Sequence, residues 1–270
     1  MRGYTYLLSG AFALAVMASA QAATPAIEAA ESSVRLGLTA GYGSYEENIR
    51  PQDTENGALL GLEAGVSSLT PTTFGRFGWP DLYASVSYDF SAGFLKYHGN
   101  LQNADHSLYQ ANDNSYYNTA IVRLGFGRPI AGNAELIPYA AGGFQNWYRN
   151  VDGPAGYSEY YQAGLMGGGL KVDVAATPLL VVSAAAEGFA VIGGAISVPS
   201  QDFSAGFGTS AEERVSLDAD YRIDNGWHAY AGLGVTHYGY TGSKPDVTGA
   251  YEPLSTTLQI NSMFGLAYGF

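Results

Sequence analysis

Two-residue alternation, sustained from residue 34 to the C-terminus, is the feature that most restricts what this chain can fold into. Residues 214–223 show it best: Val215, Leu217, Ala219, Tyr221 and Ile223 alternate with Arg214, Ser216, Asp218, Asp220 and Arg222. Residues 81–90 repeat the pattern. In the final run Phe264, Leu266, Tyr268 and Phe270 share one face, and Gly265, Ala267 and Gly269 share the other. Successive side chains of a strand point to opposite faces, so a period of two means strand. In a soluble sandwich the apolar face would meet a second sheet. In a membrane barrel it meets lipid, and small or polar residues line the interior.

The N-terminus favours the barrel. Arg2 is followed by an apolar run over residues 6–17 and by small residues at Ala18, Ser19, Ala20 and Ala22, the layout of a cleavable secretory signal. Cleavage is expected after Ala22, giving a signal peptide over 1–22, a short periplasmic segment over 23–33 and a barrel over 34–270. The apolar run is too short to span a bilayer as a helix, and no later segment reaches the ~20 apolar residues that a transmembrane helix needs. Composition agrees: 36 Gly and 21 Tyr with only 13% charged residues suit strands squeezed between lipid and a crowded interior. The absence of Cys removes disulfide frameworks, thiolate metal sites and Cys nucleophiles. A net charge of −12 argues against nucleic acid as a partner and against a polybasic lipid-binding patch.

About ten strands are expected, near 34–46, 57–69, 81–97, 116–128, 135–149, 160–174, 179–197, 212–223, 227–240 and 254–270, with eight as the alternative. The expected fold is all-β, a closed antiparallel up-and-down transmembrane barrel. Turns at 131–134, 175–178 and 224–226 are short, and Asp224, Asn225 and Gly226 form a hairpin signal. Connections at 47–56, 98–115, 150–159, 198–211 and 241–253 are longer and polar. Short periplasmic turns alternating with longer outer loops place both termini in the periplasm. The connection 70–80, with Phe74, Phe77 and Trp79, breaks that rule and reads as a rim segment.

The signal, the alternating strands and the terminal Tyr268, Gly269 and Phe270 together resemble the small outer-membrane barrels of the outer-membrane protein A and opacity-type families. The resemblance implies location in the Gram-negative outer membrane, contact with its lipid and lipopolysaccharide, and recognition by the barrel assembly machinery. The matching positions of that assembly signal are Phe264, Leu266, Tyr268 and Phe270. Activity is not implied, because such barrels include adhesins, enzymes, pores and structural proteins.

Alternation places Arg35, Arg123, Lys171, Arg214 and Arg222 inside, with Glu63, Asp89, Asp173, Glu187, Asp218 and Asp220. In a narrow lumen such charges must pair, since a lone desolvated charge costs several kcal/mol. The expected function is a structural or surface-interaction barrel with an ion-paired interior. Arg214 and Arg222 are expected to find partners partly on neighbouring strands, Glu187 on the preceding one among them. A small gated pore is the alternative, because charge rings also line channels. No enzymatic activity, cofactor or metal is expected, and any extracellular ligand is left open. Omptin-like barrel proteases are similar in size and work with acidic residues and a His at the outer rim. The positions that resemblance would use are Glu46, Glu47, His98 and His237, without a motif around them. His106 is assigned to an outer loop, and His228 follows a periplasmic turn next to Trp227. Gly167 to Gly169 and the pair Gly193 and Gly194 do not continue into a phosphate-binding motif. Tyr42, Tyr88, Phe90, Phe126, Trp147, Trp227, Tyr268 and Phe270 are expected in interfacial girdles.

Overall fold

The computed structural model describes residues 24–50, 52–71, 81–100, 107–247 and 249–270. The expected signal peptide, most of the 70–80 rim segment and His106 lie outside them. Helix α1 (Thr24–Glu31) is followed by strands β1 (Ser33–Glu47), β2 (Thr54–Pro71), β3 (Asp81–Asn100), β4 (Leu108–Ala131), β5 (Ala134–Asn150) and β6 (Ser158–Thr177). Then come β7 (Leu180–Val198), β8 (Phe203–Gly206), β9 (Ser210–Asp224), β10 (Trp227–Tyr240) and β11 (Ser255–Gly269).

Ten of these strands form a closed antiparallel ring, each bonded to its neighbours in the chain. Pairing of β1 with β11, from Ser33 opposite Gly269 to Glu47 opposite Ser255, closes it. The eight-strand alternative therefore gives way to ten. Strand β8 stands apart, because it pairs only with β7, at Ala195–Val198. That stretch lies directly beyond the β7–β9 ladder, which ends at Val191 opposite Ser210. So β8 is the outer continuation of β9, interrupted at residues 207–209. Gly193, at φ 60°, absorbs the kink on β7, and the Phe207 amide donates to the Gly194 carbonyl at 2.7 Å. The interruption lets the Phe207 ring leave the wall and pack on Tyr161 and Tyr240.

The two faces of the wall are told apart by exposure. Leu36, Leu60, Leu124, Leu217, Leu233 and Leu266 are 48–68% exposed, an apolar surface that only lipid would cover favourably. Trp227 and Tyr268, each half exposed, meet edge to face at 5.3 Å beside the β9–β10 turn, where the inner girdle belongs. In that turn Gly226 adopts φ 84°, a left-handed conformation that suits Gly. The alternate residues are buried and point into the lumen.

Residues 23–33 contain more than a linker. Helix α1, rich in Ala with Pro25 in its first turn, buries Ala26, Ile27 and Ala30 against β2, β5, β6 and β7 inside the periplasmic mouth. Ser32 ties its end to β2, donating to the Leu69 carbonyl at 3.3 Å and accepting from the Leu69 amide at 3.1 Å.

Candidate functional site

The candidate site is the lumen, which is organised in tiers. At mid-height Arg123 (β4) forms a bidentate pair with Glu187 (β7): Nε donates to Oε1 at 2.6 Å and Nη2 to Oε2 at 3.0 Å. Its Nη1 donates to Ser87 at 2.9 Å. Arg214 (β9) turns to Glu212 on its own strand, Nε to Oε1 at 2.6 Å. Arg35 (β1) lies over the Tyr230 ring, 5.6 Å from its centre. Asp218 accepts from Ser216 at 3.0 Å, and Asp220 meets His228 Nδ1 at 2.5 Å. Arg35, Arg123, Glu187, Arg214 and Asp218, together with Glu63 and Asp89, border a chamber of about 250 Å³, while Asp220 and His228 lie towards α1.

Towards the outer end an aromatic layer crosses the lumen. Tyr117, Trp147 and Tyr161 stack at 5.2 and 4.9 Å, Tyr161 continues to Tyr240 at 5.6 Å, and Phe207 packs on Tyr240 at 5.0 Å. Tyr45 closes on the edge of Trp147 at 5.0 Å. These rings come from β1, β4, β5, β6 and β10, so no single hairpin could assemble the layer. It is a product of closure.

Next to this layer sits Arg149 (β5), 1% exposed as a side chain. Its Nε donates to Glu55 Oε1 at 2.6 Å and its Nη1 to Glu159 Oε2 at 2.6 Å, so β2, β5 and β6 are clamped across the mouth. Glu47 lies 3.9 Å away, and the rings of Tyr45, Tyr97, Trp147 and Tyr157 surround the guanidinium at 5.2–5.8 Å. Charge-assisted bonds in so dry a place are strong, and their loss would strand buried carboxylates. Loop 241–254 joins the same cluster. Glu252 Oε1 accepts from Tyr161 at 2.7 Å and from Tyr45 at 3.5 Å.

Burial, then Glu159 and Glu47, hold the Glu252 carboxyl well above the usual carboxylate range. The docked loop therefore retains a proton that the undocked loop would release. Docking is favoured in full below the ordinary carboxylate range and weakens as pH rises through the raised value. A spin label on Cys at the fully exposed Val247 position should gain mobility as pH rises. Glu252→Gln should abolish that dependence. A label whose mobility is flat with pH in the unsubstituted loop would contradict this account.

At the periplasmic end Lys171 pairs closely with Glu31 of α1 and lies 3.7 Å from Asp173. Asp81 and Glu135 are buried nearby.

Of the residues expected to form one network, the structure joins Arg123 with Glu187 and leaves the others in smaller sets. Glu187 pairs with Arg123 and also lies opposite Arg214 across the β7–β9 ladder, whereas Arg222 is remote from it. Arg222 is at the periplasmic rim, donating to the Pro178 carbonyl at 3.2 Å. Sequence reasoning missed the outer tier altogether. Glu47 and Glu55 were assigned to a loop and Arg149 to a strand end, yet all three are buried lumen groups. The outer tier makes this part of the interior acidic: among the described residues Arg149 faces Glu47, Glu55, Glu159 and Glu252, with Asp113 nearby. Trp147 is a second correction. It is 1% exposed and belongs to the lumen, not to a girdle. The parity of Gln145, Trp147 and Arg149 was the available signal, hidden because polar Asn146 occupies the outward face.

The omptin-like positions do not converge. Glu47 is buried in the lumen, Glu46 is exposed and accepts from Gln52 at 3.0 Å, and His98 is exposed on β3. His237 is half exposed on the outward face, 3.3 Å from Glu213. Among the described residues no group of three or more His, Cys, Asp or Glu is arranged to hold a metal ion.

No family model and no curated protein sequence matches the chain. The backbone does match solved structures. The outer membrane protease OmpT from Escherichia coli is similar at TM-score 0.57 and 10% identity, over 88% of this chain and 95% of that one. The transport unit of the autotransporter AIDA-I from Escherichia coli is similar at TM-score 0.54 and 10% identity, over 92% and 97%. This chain has the fold of an outer-membrane β-barrel. The expectation that the barrel is not an enzyme does not stand, because a protease shares its architecture over nearly its whole length. At 10% identity the likeness shows the fold alone and gives no residue here a catalytic role.

Proposed function

We propose that this outer-membrane barrel is closed to ions at rest and serves as a structural or surface-interaction protein, acting through its outer loops. The observation that carries this reading is Arg149, fully buried in the outer mouth between Glu55 and Glu159 and ringed by aromatic side chains. An ion entering there would have to part charge-assisted bonds and displace stacked rings. Helix α1 in the periplasmic mouth supports the same reading from the other end. Vesicles loaded with potassium and reconstituted with the barrel should retain it as protein-free vesicles do. A leak proportional to the amount of protein would favour the gated-pore reading. That second reading draws on the chamber, which leaves part of the lumen open.

Lipopolysaccharide and outer-membrane lipid are the proposed surroundings of the wall, and the assembly machinery the proposed reader of β11. Phe264, Leu266, Tyr268 and Phe270, all at least half exposed on the outward face, support the latter. The narrower kinship with the outer-membrane protein A and opacity-type families rests on that strand and the general architecture.

A further inference from the structure

The mid-barrel chamber has the chemistry of a binding site. Charged side chains of both signs border it, Arg35, Arg123 and Arg214 with Glu63, Asp89, Glu187 and Asp218, and Lys171 reaches it from its pair with Glu31, so no single sign of charge dominates. Several of its polar groups keep hydrogen-bonding capacity although they are more than nine-tenths buried: Glu63 Oε1 beyond its contact with Tyr230, Gln145 Nε2 beyond its contact with Tyr240, and Ser85 Oγ. Buried polar groups of this kind are normally satisfied by protein, water or a ligand, and a solute that both donates and accepts would match these. The rings of Tyr117 and Tyr238 add apolar surface at its border. Its 250 Å³ is the volume of about eight liquid waters, room for one small solute.

We propose that this chamber binds a single neutral, polyhydroxylated solute of monosaccharide size. Each hydroxyl offers one donor and two acceptor lone pairs, which suits such a mixed set of groups better than an ion does. The C–H faces of a sugar ring suit the bordering tyrosines. The inference goes beyond the closed-barrel reading and is tested separately from it, since it concerns equilibrium occupancy and not conduction.

The test refolds the full barrel from urea into detergent micelles with the solute present, so that closure of the two mouths does not limit entry. A Trp79→Phe, Trp227→Phe background leaves Trp147, which borders the chamber, as the reporter. Glucose, galactose and mannitol are titrated, with serine as a zwitterionic control. The expected result is a saturable change in Trp147 emission with at least one of the three polyols. Gln145→Leu should weaken it at least tenfold, and Ser85→Ala should weaken it as a second variant if the first does not fold. No saturable response to any of the three, serine binding as tightly as the polyols, or undiminished affinity in a folded variant would overturn the proposal.

Discussion

Arg149→Met should lower the stability of the barrel by about 3–5 kcal/mol, the range for removing one partner of a buried ion pair. Glu55, fully buried, and Glu159 would lose their cation, and the carboxyl groups of Glu47 and Glu252 already crowd the same space. Met fills similar volume with an apolar chain, so the loss would report charge more than packing. Reversible urea unfolding in lipid vesicles measures it. Pairing the substitution with Glu55→Gln should restore part of the loss, because residues in one network are not additive. A change below about 1 kcal/mol for Arg149→Met would show that the clamp contributes little, far outside the range expected on breaking a buried pair.

Leu217→Arg should cost roughly 2–4 kcal/mol, the penalty for Arg near the midplane on the lipid face, and Ser216→Arg much less. Leu217 lies mid-way along β9, 48% exposed, opposite Ala184 and Leu233 on the same apolar wall. Ser216 borders the chamber and its hydroxyl reaches Asp218, a carboxylate that an added cation could pair with. The same unfolding assay compares the two. Equal penalties would mean that the outward face of β9 does not meet lipid.

What could be read from the sequence follows from where alternation is clean. On β9 apolar and polar residues alternate without exception over 214–223, and on β11 only Ser262 and Met263 interrupt the pattern; there the strand limits and faces found in the structure agree with expectation. Near the outer ends the code blurs. Residues inside a narrow mouth are aromatic as often as charged, because rings fill the gap between strands, while outward residues there meet headgroups and can be polar. Trp147 inside with Asn146 outside is that inversion on β5, and it hid Arg149. Tyr117 and Tyr161 were concealed in the same way, since Tyr suits an interface and a packed lumen equally. The short β8 escaped notice for another reason. Its residues continue the line of β9 beyond the end of the β7–β9 ladder, and only pairing with β7 across the kink at Gly193 reveals it. Helix α1 has too few residues to be stable alone, so its conformation depends on the mouth that receives it.

Single-channel recording in planar bilayers tests closure of the lumen most directly. The unsubstituted barrel, inserted at a known protein-to-lipid ratio, should give no steady conductance steps at moderate voltage. Reproducible unitary steps from that same protein, with a defined ion selectivity, would contradict a lumen held shut by Arg149 and its carboxylates.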